Sequence, residues 1–391
     1  MKILIVSSYL PYPLFSGGAV RLFNLLKEIS KENQITLICE KRDYQTENDV
    51  KELEKICKKV ITVNRKKQWS VSNILKSVFS KNSFLVTGHT LPLMRKKIEE
   101  ELNENKYDLI HVETFYVLQN LPNTSLPIVL VEHNIEYLVY KRFVDQAPKI
   151  LKPFLSLDVH KIKRQEEECW NKATKLVAVS EEEKKLMGSK DIVVVRNGVD
   201  TEKYKISNIK YQTKNPQWVL FIGEFRWIQN INAINNILNE IWPKIHEKNK
   251  DLKLWVVGKN IPENIKNKKL ENVVFDENAP DKTEEIYKKA DILLAPIYVG
   301  GGTSFKILEA MASGTCVVTT SLGAEGIVGT NQNQLVIAET SGDLVDSVLK
   351  LSKDLEFRLN LIKNARKLIE QKFDWKKISK ELEYVYREAL K

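Results

Sequence analysis

Short apolar runs punctuate this chain at intervals that a helix can fill. The first half holds KILIVSS, ITLICE, VITV, YDLIHVE, PIVLVEHN, KLVAVS and IVVVRNG. The second half starts the series again with WVLFIGEF, LKLWVVGK, NVVFD, ADILLAPI, TCVVTTS and QLVIAE. These runs are dense in Val, Ile and Leu without strict alternation, as are strands buried on both faces of a parallel sheet. Between the first two, AVRLFNLLKEIS sets Leu22, Leu25, Leu26 and Ile29 at helical spacing and reads as a crossover helix. The two series are separated by DTEKYKISNIKYQTKNPQ, polar and without period, which reads as a linker near 201–216. A length of 391 residues exceeds one ordinary core. The expected fold class is therefore α/β, with two doubly wound parallel-sheet units. Ligands of such sheets bind beyond the C-terminal strand ends, so two facing units imply a cleft.

Composition narrows the function classes. A hydrophobic share of 43% with 29% charged residues excludes a disordered chain. Cys39, Cys57, Cys169 and Cys316 lie far apart with no Cys/His spacing, which argues against a zinc site or a disulfide framework. The opening MKILIV soon meets PYP with no small-residue cleavage site and reads as a first strand rather than a signal peptide. No apolar run reaches the roughly 18–20 residues of a membrane span. The expected location is cytoplasmic. Residues 51–100 hold 12 Lys and Arg against 4 Asp and Glu, concentrating much of the net +10 charge in one segment. That excess is either a solvated lysine-rich surface or a contact for an anionic partner. Within it, residues 65–81 set Val71, Ile74, Leu75, Val78 and Phe79 on one helical stripe, flanked by Trp69 and lysines. Such a stripe either packs on the domain's own sheet or lies on an anionic bilayer at the inner membrane face. Nucleic acid is not expected, because stacking aromatics are not interleaved with the basic residues.

Three segments carry polar groups where sites of this fold class form. In VGGGTSFKILEAMASGT, residues 299–315, glycines follow a strand and precede a helix. Gly301, Gly302, Thr303 and Ser304 would bring backbone N–H groups to an anion. Lys306 adds a cation in the first turn, where cations are normally disfavoured, which points to a strongly anionic ligand. Glu309 shares that helix face and suits a pair of neighbouring hydroxyls, so the two residues read as diphosphate plus ribose. The competing reading is an ordinary glycine turn with a surface ion pair. In SSYLPYPLFSGGAVRL, Gly17 and Gly18 open a second helix with Arg21 in its first turn. In IVLVEHNIEY, His133 stands with Glu132, Asn134 and Glu136 just past a strand end, where functional histidines cluster. No Asp-x-Asp pair is present, so a departing diphosphate would be met by amides and cations and no metal or other cofactor is expected.

Taken in order, SGGAVR, YDLIHVE, EHNIEY, VVRNGVD, FIGEFRWIQNINAI and GGGTSFKILEAMASGTCVVTTSLGAEGI resemble the group 1 (family 4) glycosyltransferases along nearly the whole chain. The resemblance implies a GT-B fold. Its Rossmann-like domains would be an acceptor-side domain at 1–200 and a donor domain at 201–373, with a last helix at 374–391 crossing back to the first. It further implies that Glu309 holds the donor's ribose, Lys306 its diphosphate, and Gly17 and Gly18 amides near that diphosphate, with His133 beside the transferred sugar. Arg21, Glu136, Arg226 and Asn278 join the expected donor-binding set. Three places depart from the family pattern. Gly301 stands where many members keep a second glutamate, and Glu224 and Asn230 stand where many use Arg and Lys on the phosphates. RWIQN resembles a subgroup that shares this loss, but that subgroup tends to have an arginine where Ser304 stands. Arg226 or Arg21 is the expected compensation.

The activity implied is transfer of a sugar from a nucleoside-diphosphate donor to an acceptor hydroxyl with retention, for cell-surface polysaccharide or glycolipid assembly. Its partners would be the nucleotide sugar and a glycan or lipid-linked acceptor. A sugar-nucleotide epimerase on the same fold and a silent binding protein are the alternatives.

Overall fold

In the computed structural model, which describes the chain apart from residues 66–67, 146, 189–190, 208–215, 279–281, 301 and 328–330, the apolar runs form two parallel sheets. The first comprises β1 (Lys2–Ser7), β2 (Gln34–Lys41), β3 (Lys59–Asn64), β4 (Leu109–Glu113), β5 (Ile128–Val131), β6 (Lys175–Ala178) and β7 (Ile192–Val194). Their order is β3-β2-β1-β4-β5-β6-β7. The second comprises β8 (Trp218–Ile222), β9 (Lys253–Val257), β10 (Val273–Asp276), β11 (Ile292–Ala295), β12 (Cys316–Thr319) and β13 (Val336–Ile337), in the order β10-β9-β8-β11-β12-β13. The family fold expected from sequence is thus present: two Rossmann-like doubly wound sheets.

The strands are apolar on both faces because helices cover both. From Ile3 to Ser7, every residue of β1 is buried. Helix α1 (Gly17–Ile29) lays Leu22, Leu25, Leu26 and Ile29 into the core, and each such side chain contributes about 1.5–3 kcal/mol. On one face of the first sheet, Leu4, Val6, Ile110, Val112 and Leu130 form a cluster with Met94, Ile98 and Trp170. In each sheet the chain reverses winding direction beside the first strand, between β1 and β4 and between β8 and β11. A crevice opens beyond the C-terminal strand ends at such a reversal.

By internal contacts, Met1–Arg196 together with Ile378–Lys391 form one unit and Asn197–Lys377 the other. The remaining helices used below are α2 (Val71–Phe79), α3 (Glu136–Asp145), α4 (Lys152–Lys172), α5 (Ile228–Asn236), α6 (Phe305–Ser313) and α7 (Trp375–Ala389).

Helix α2 corrects one of the two readings of the basic segment. Its apolar stripe does not pack on the sheet: Ser77 is its buried residue, while Val71, Ile74, Leu75, Val78 and Phe79 are exposed. The helix is moored through its polar side. Lys161 on α4 donates from Nζ to the carbonyls of Ser77 (2.6 Å) and Ser80 (2.9 Å). Residues 66–67 of this segment lie outside the described ones.

Candidate active site

At the β1/β4 reversal, a buried carboxylate organises the first unit. Glu113 ends β4, and Oε2 accepts from His133 Nε2, just past β5. Its Oε1 accepts from His111 Nε2 at 3.0 Å, two residues back on the same strand face. Burial alone would raise the Glu113 carboxyl, but the electrostatic attraction and hydrogen bonds of the His133 and His111 N–H groups outweigh it and hold it well below the carboxylate range. An ionised carboxylate only accepts, so both imidazoles carry their proton on Nε2. His111 Nδ1 then accepts from the Tyr386 hydroxyl of α7 at 2.6 Å. His133 is left with an accepting Nδ1.

That nitrogen looks toward Gly18. A Cβ built on Gly18 would lie 3.4 Å from His133 Nδ1 and 3.1 Å from the Tyr9 hydroxyl, which itself donates to the Gly18 carbonyl at 3.2 Å. Glycine therefore keeps the imidazole edge open at the start of α1. Ser16 caps that helix by accepting from Ala19 N, and Gly17 is its first residue. Thr114, directly after Glu113, has φ of 73°, strained for a residue with a Cβ, as happens at functional strand ends.

Arg21 stands near enough to Glu113 and Tyr9 to feel their charges, but it is anchored elsewhere. Its guanidinium is buried and donates to the carbonyls of Arg196 (2.7 Å) and Val195 (2.8 Å), bracing α1 against the chain beyond β7. Burial lowers its pKa. Glu136 opens α3 beside two further carboxylates, Glu132 and Glu166. Glu166 accepts from the N–H groups of Glu136 (2.8 Å) and Tyr137 (3.1 Å), which serves the helix start. Glu132 accepts from Trp170 Nε1 at 3.3 Å. Burial pushes the Glu136 carboxyl up to about 7 and Glu166 to about 8. Burial and the two neighbouring carboxylates carry Glu132 well above its ordinary value.

The second unit places the glycine-rich segment at the β8/β11 reversal, leading into α6. Ser304 precedes the helix without capping it by its side chain. The Gly302 amide donates to Glu325 Oε2 at 2.7 Å, and the buried Thr303 hydroxyl has no hydrogen-bond partner among the described residues. Lys306 lies with Nζ 4.9 Å from the centre of the Phe221 ring and donates to Asn230 Oδ1 at 2.8 Å. Burial lowers its pKa to about 8. Asn230 in turn donates to the Glu224 carbonyl at 2.8 Å, so the residue replacing the family's lysine orients the remaining one. Gly258, at φ +148°, lets β9 end against this loop, since a Cβ there would lie 1.8 Å from the Gly223 carbonyl oxygen.

Glu309 sits one turn along α6 and accepts at Oε1 from the Tyr204 hydroxyl at 2.9 Å. Burial raises its carboxyl, against the pull of Tyr204, Tyr287, Lys203 and Lys306. Arg226 is exposed and pairs with Glu224 through Nε and NH2, both at 3.2 Å. Asn278 is exposed past β10, two strands from β8 and thus about 10 Å across the sheet. Gly301 lies outside the described residues.

The structure thus gathers His133 with Gly18, and Lys306 with Glu309, while Arg21 and Arg226 are committed to other partners. Sequence reading gave no role to Glu113, His111, Tyr386, Tyr204 or Glu325. The signal for the first two was available: His and Glu alternate on one strand face at a strand's C-terminal end.

Two family models match this chain. One described as Glycosyltransferase Family 4 covers residues 15–203, and one described as Glycosyl transferases group 1 covers residues 216–354. The chain belongs to the group 1 glycosyltransferases. This glycosyltransferase is similar to an uncharacterized 44.6 kDa protein of the cps region of Klebsiella pneumoniae. The two are 27% identical over 403 residues, 96% of this chain and 97% of that protein. Among solved structures it is similar to sucrose-phosphate synthase from Thermosynechococcus elongatus, with a TM-score of 0.71, 14% identity and 99% of each chain covered. It is also similar to HepE of Anabaena, solved in complex with UDP. That TM-score is 0.66 at 14% identity, covering 99% of this glycosyltransferase and 100% of HepE. At such identity these structures establish the GT-B fold.

Proposed function

We propose that this glycosyltransferase moves a hexosyl group from a nucleoside-diphosphate sugar to an acceptor hydroxyl, retaining the anomeric configuration, in polysaccharide or glycolipid assembly. The observation that carries the reading is the start of α6. There a largely desolvated ammonium, Lys306, a helix N-terminus uncapped by its own side chain, and the Thr303 hydroxyl, without a partner among the described residues, converge. Such a group suits a diphosphate, and the nucleotide in the HepE structure supports that class of donor. The similarity to a cps-region protein supports the polysaccharide setting.

In the proposed reaction the sugar–phosphate bond breaks and the diphosphate leaves. Lys306 and the amides at the start of α6 stabilise the charge that develops on it, with no bound metal or other cofactor required. The departing diphosphate takes the acceptor's proton, and Glu309 accepts from the ribose hydroxyls, joining or displacing Tyr204. His133, its tautomer fixed by Glu113, offers Nδ1 to a hydroxyl of the transferred sugar. Gly17 and Gly18 keep that approach open.

A thermal-shift and product-formation screen over UDP-, GDP- and ADP-sugars tests this. One nucleotide class should stabilise the protein, and Lys306→Ala and Glu309→Ala should each lose the response. Stabilisation by none of them sinks the donor assignment.

A further inference from the structure

The apolar side of α2 belongs to a larger surface. Phe79 is 86% exposed at the end of α2, Phe154 is 73% exposed on α4, and Ile150 is 80% exposed just before α4. Phe154, Leu157 and Lys161 recur at three- and four-residue spacing and share one face of α4. Because Lys161 grips the Ser77 and Ser80 carbonyls, the Val78–Phe79 end of α2 lies beside that face. Helix α3 packs on α4 and adds exposed Phe143. Helices α2 and α3 thus each lie against α4, and all three carry bulky apolar side chains exposed to solvent.

Their surroundings are basic. Residues 65–81 hold five Lys and Arg and no acidic residue, and residues 136–164 hold seven against three acidic, of which Lys163 and Arg164 pair with Glu167 and Glu168 farther along α4. We infer that the apolar surface where α2 meets α4 docks on an anionic lipid bilayer. Exposed aromatic and aliphatic side chains among long basic ones match the boundary between acyl chains and anionic headgroups. A second copy of the chain is a poorer occupant, since a self-complementary contact would set this positive surface against itself. Helix α3 begins three residues after His133 and spans ten residues, about 15 Å. That helix packs on α4, so the docked surface and His133 belong to neighbouring elements of the first unit. Resting on the function proposed above, this makes the acceptor a membrane-borne one.

Flotation of the full chain with vesicles tests the surface. Phosphatidylcholine vesicles containing about a third phosphatidylglycerol should capture the protein at least about tenfold better than pure phosphatidylcholine, less so at about 0.5 M salt. The Phe79→Glu, Phe154→Glu double variant should lose at least about tenfold in capture while keeping its melting temperature. The inference is overturned by no capture of the wild type, by equal capture of the double variant, or by a wild-type dimer that the double variant abolishes without any vesicle capture. Nucleotide-sugar thermal shifts on the same samples separate the two proposals. Vesicle capture without a donor response upholds the surface and counts against the function.

Discussion

Replacing Glu113 with Gln keeps the side chain's shape but removes its charge and one acceptor oxygen. The amide can no longer accept from both His111 and His133, so the His133 tautomer is no longer fixed. Turnover should fall about 10–100-fold while the donor-induced thermal shift, which belongs to the second unit, persists. Loss of both together would mean that Glu113 serves only folding. At Lys306 the expected signature is pH. Burial holds its pKa to about 8 in the unliganded protein, and only the ammonium form attracts a diphosphate. Donor affinity should therefore weaken as pH rises through about 8. Lys306→Met should bind weakly and without that pH dependence, as isothermal titration from below to above this pH would show. The placement of Lys306 and Glu309 on one helix after a glycine run was legible in the sequence, because glycines between a strand and a helix mark where that helix starts. Glu113 was not, since LIHVE reads first as an apolar strand and only the fold brings His133 to it. The commitments of Arg21 and Arg226 were also illegible. A cation's partner is chosen in three dimensions, here a pair of carbonyls beyond β7 and a carboxylate two residues away.

Among elements, the strands were the most legible, because burial on both faces leaves few residue types acceptable. Helix α2 shows the limit. Its periodicity defines an apolar stripe but cannot say whether protein or another phase covers it; Lys161 and the Ser77 side decide that. The start of α3 carries a feature no periodicity announces, the buried cluster of Glu132, Glu136 and Glu166. Their carboxyls are raised, to about 7 for Glu136 and about 8 for Glu166. Over the window from the ordinary carboxyl value up to those values, the folded chain holds protons that the unfolded chain has released. Stability from this cluster is therefore fully present at the acid end and lost as pH rises through the window. Glu132→Gln removes one of the repelling charges. Its melting temperature should fall less between pH about 6 and about 8.5 than the wild type's, as calorimetry at both values would register. An equal or steeper fall would show that the cluster does not titrate as a unit.

At the scale of the whole chain, the last helix decides how the first unit is completed. Helix α7 begins at Trp375, and from Ile378 onward its residues belong to the first unit. Ile378, Leu382, Val385 and Tyr386 are all buried, a helical stripe whose side chains contribute about 1.5–3 kcal/mol each. Ending the chain at Lys377 would remove a sum comparable with the roughly 5–15 kcal/mol that stabilises a whole domain. That truncation should yield a first unit that no longer melts cooperatively, seen as loss of its transition in scanning calorimetry. Tyr386→Phe separates packing from polarity. It keeps the ring and removes only the hydroxyl that donates to His111 Nδ1. The expected cost is about 1 kcal/mol of stability. Turnover should drop as well, because His111 shares the Glu113 carboxylate with His133. A Tyr386→Phe protein with full turnover would confine the helix to a packing role. Reduced turnover at unchanged donor affinity would place its hydroxyl at the far end of a chain running Tyr386, His111, Glu113, His133, by which the last turns of the sequence help set a histidine far earlier in the chain.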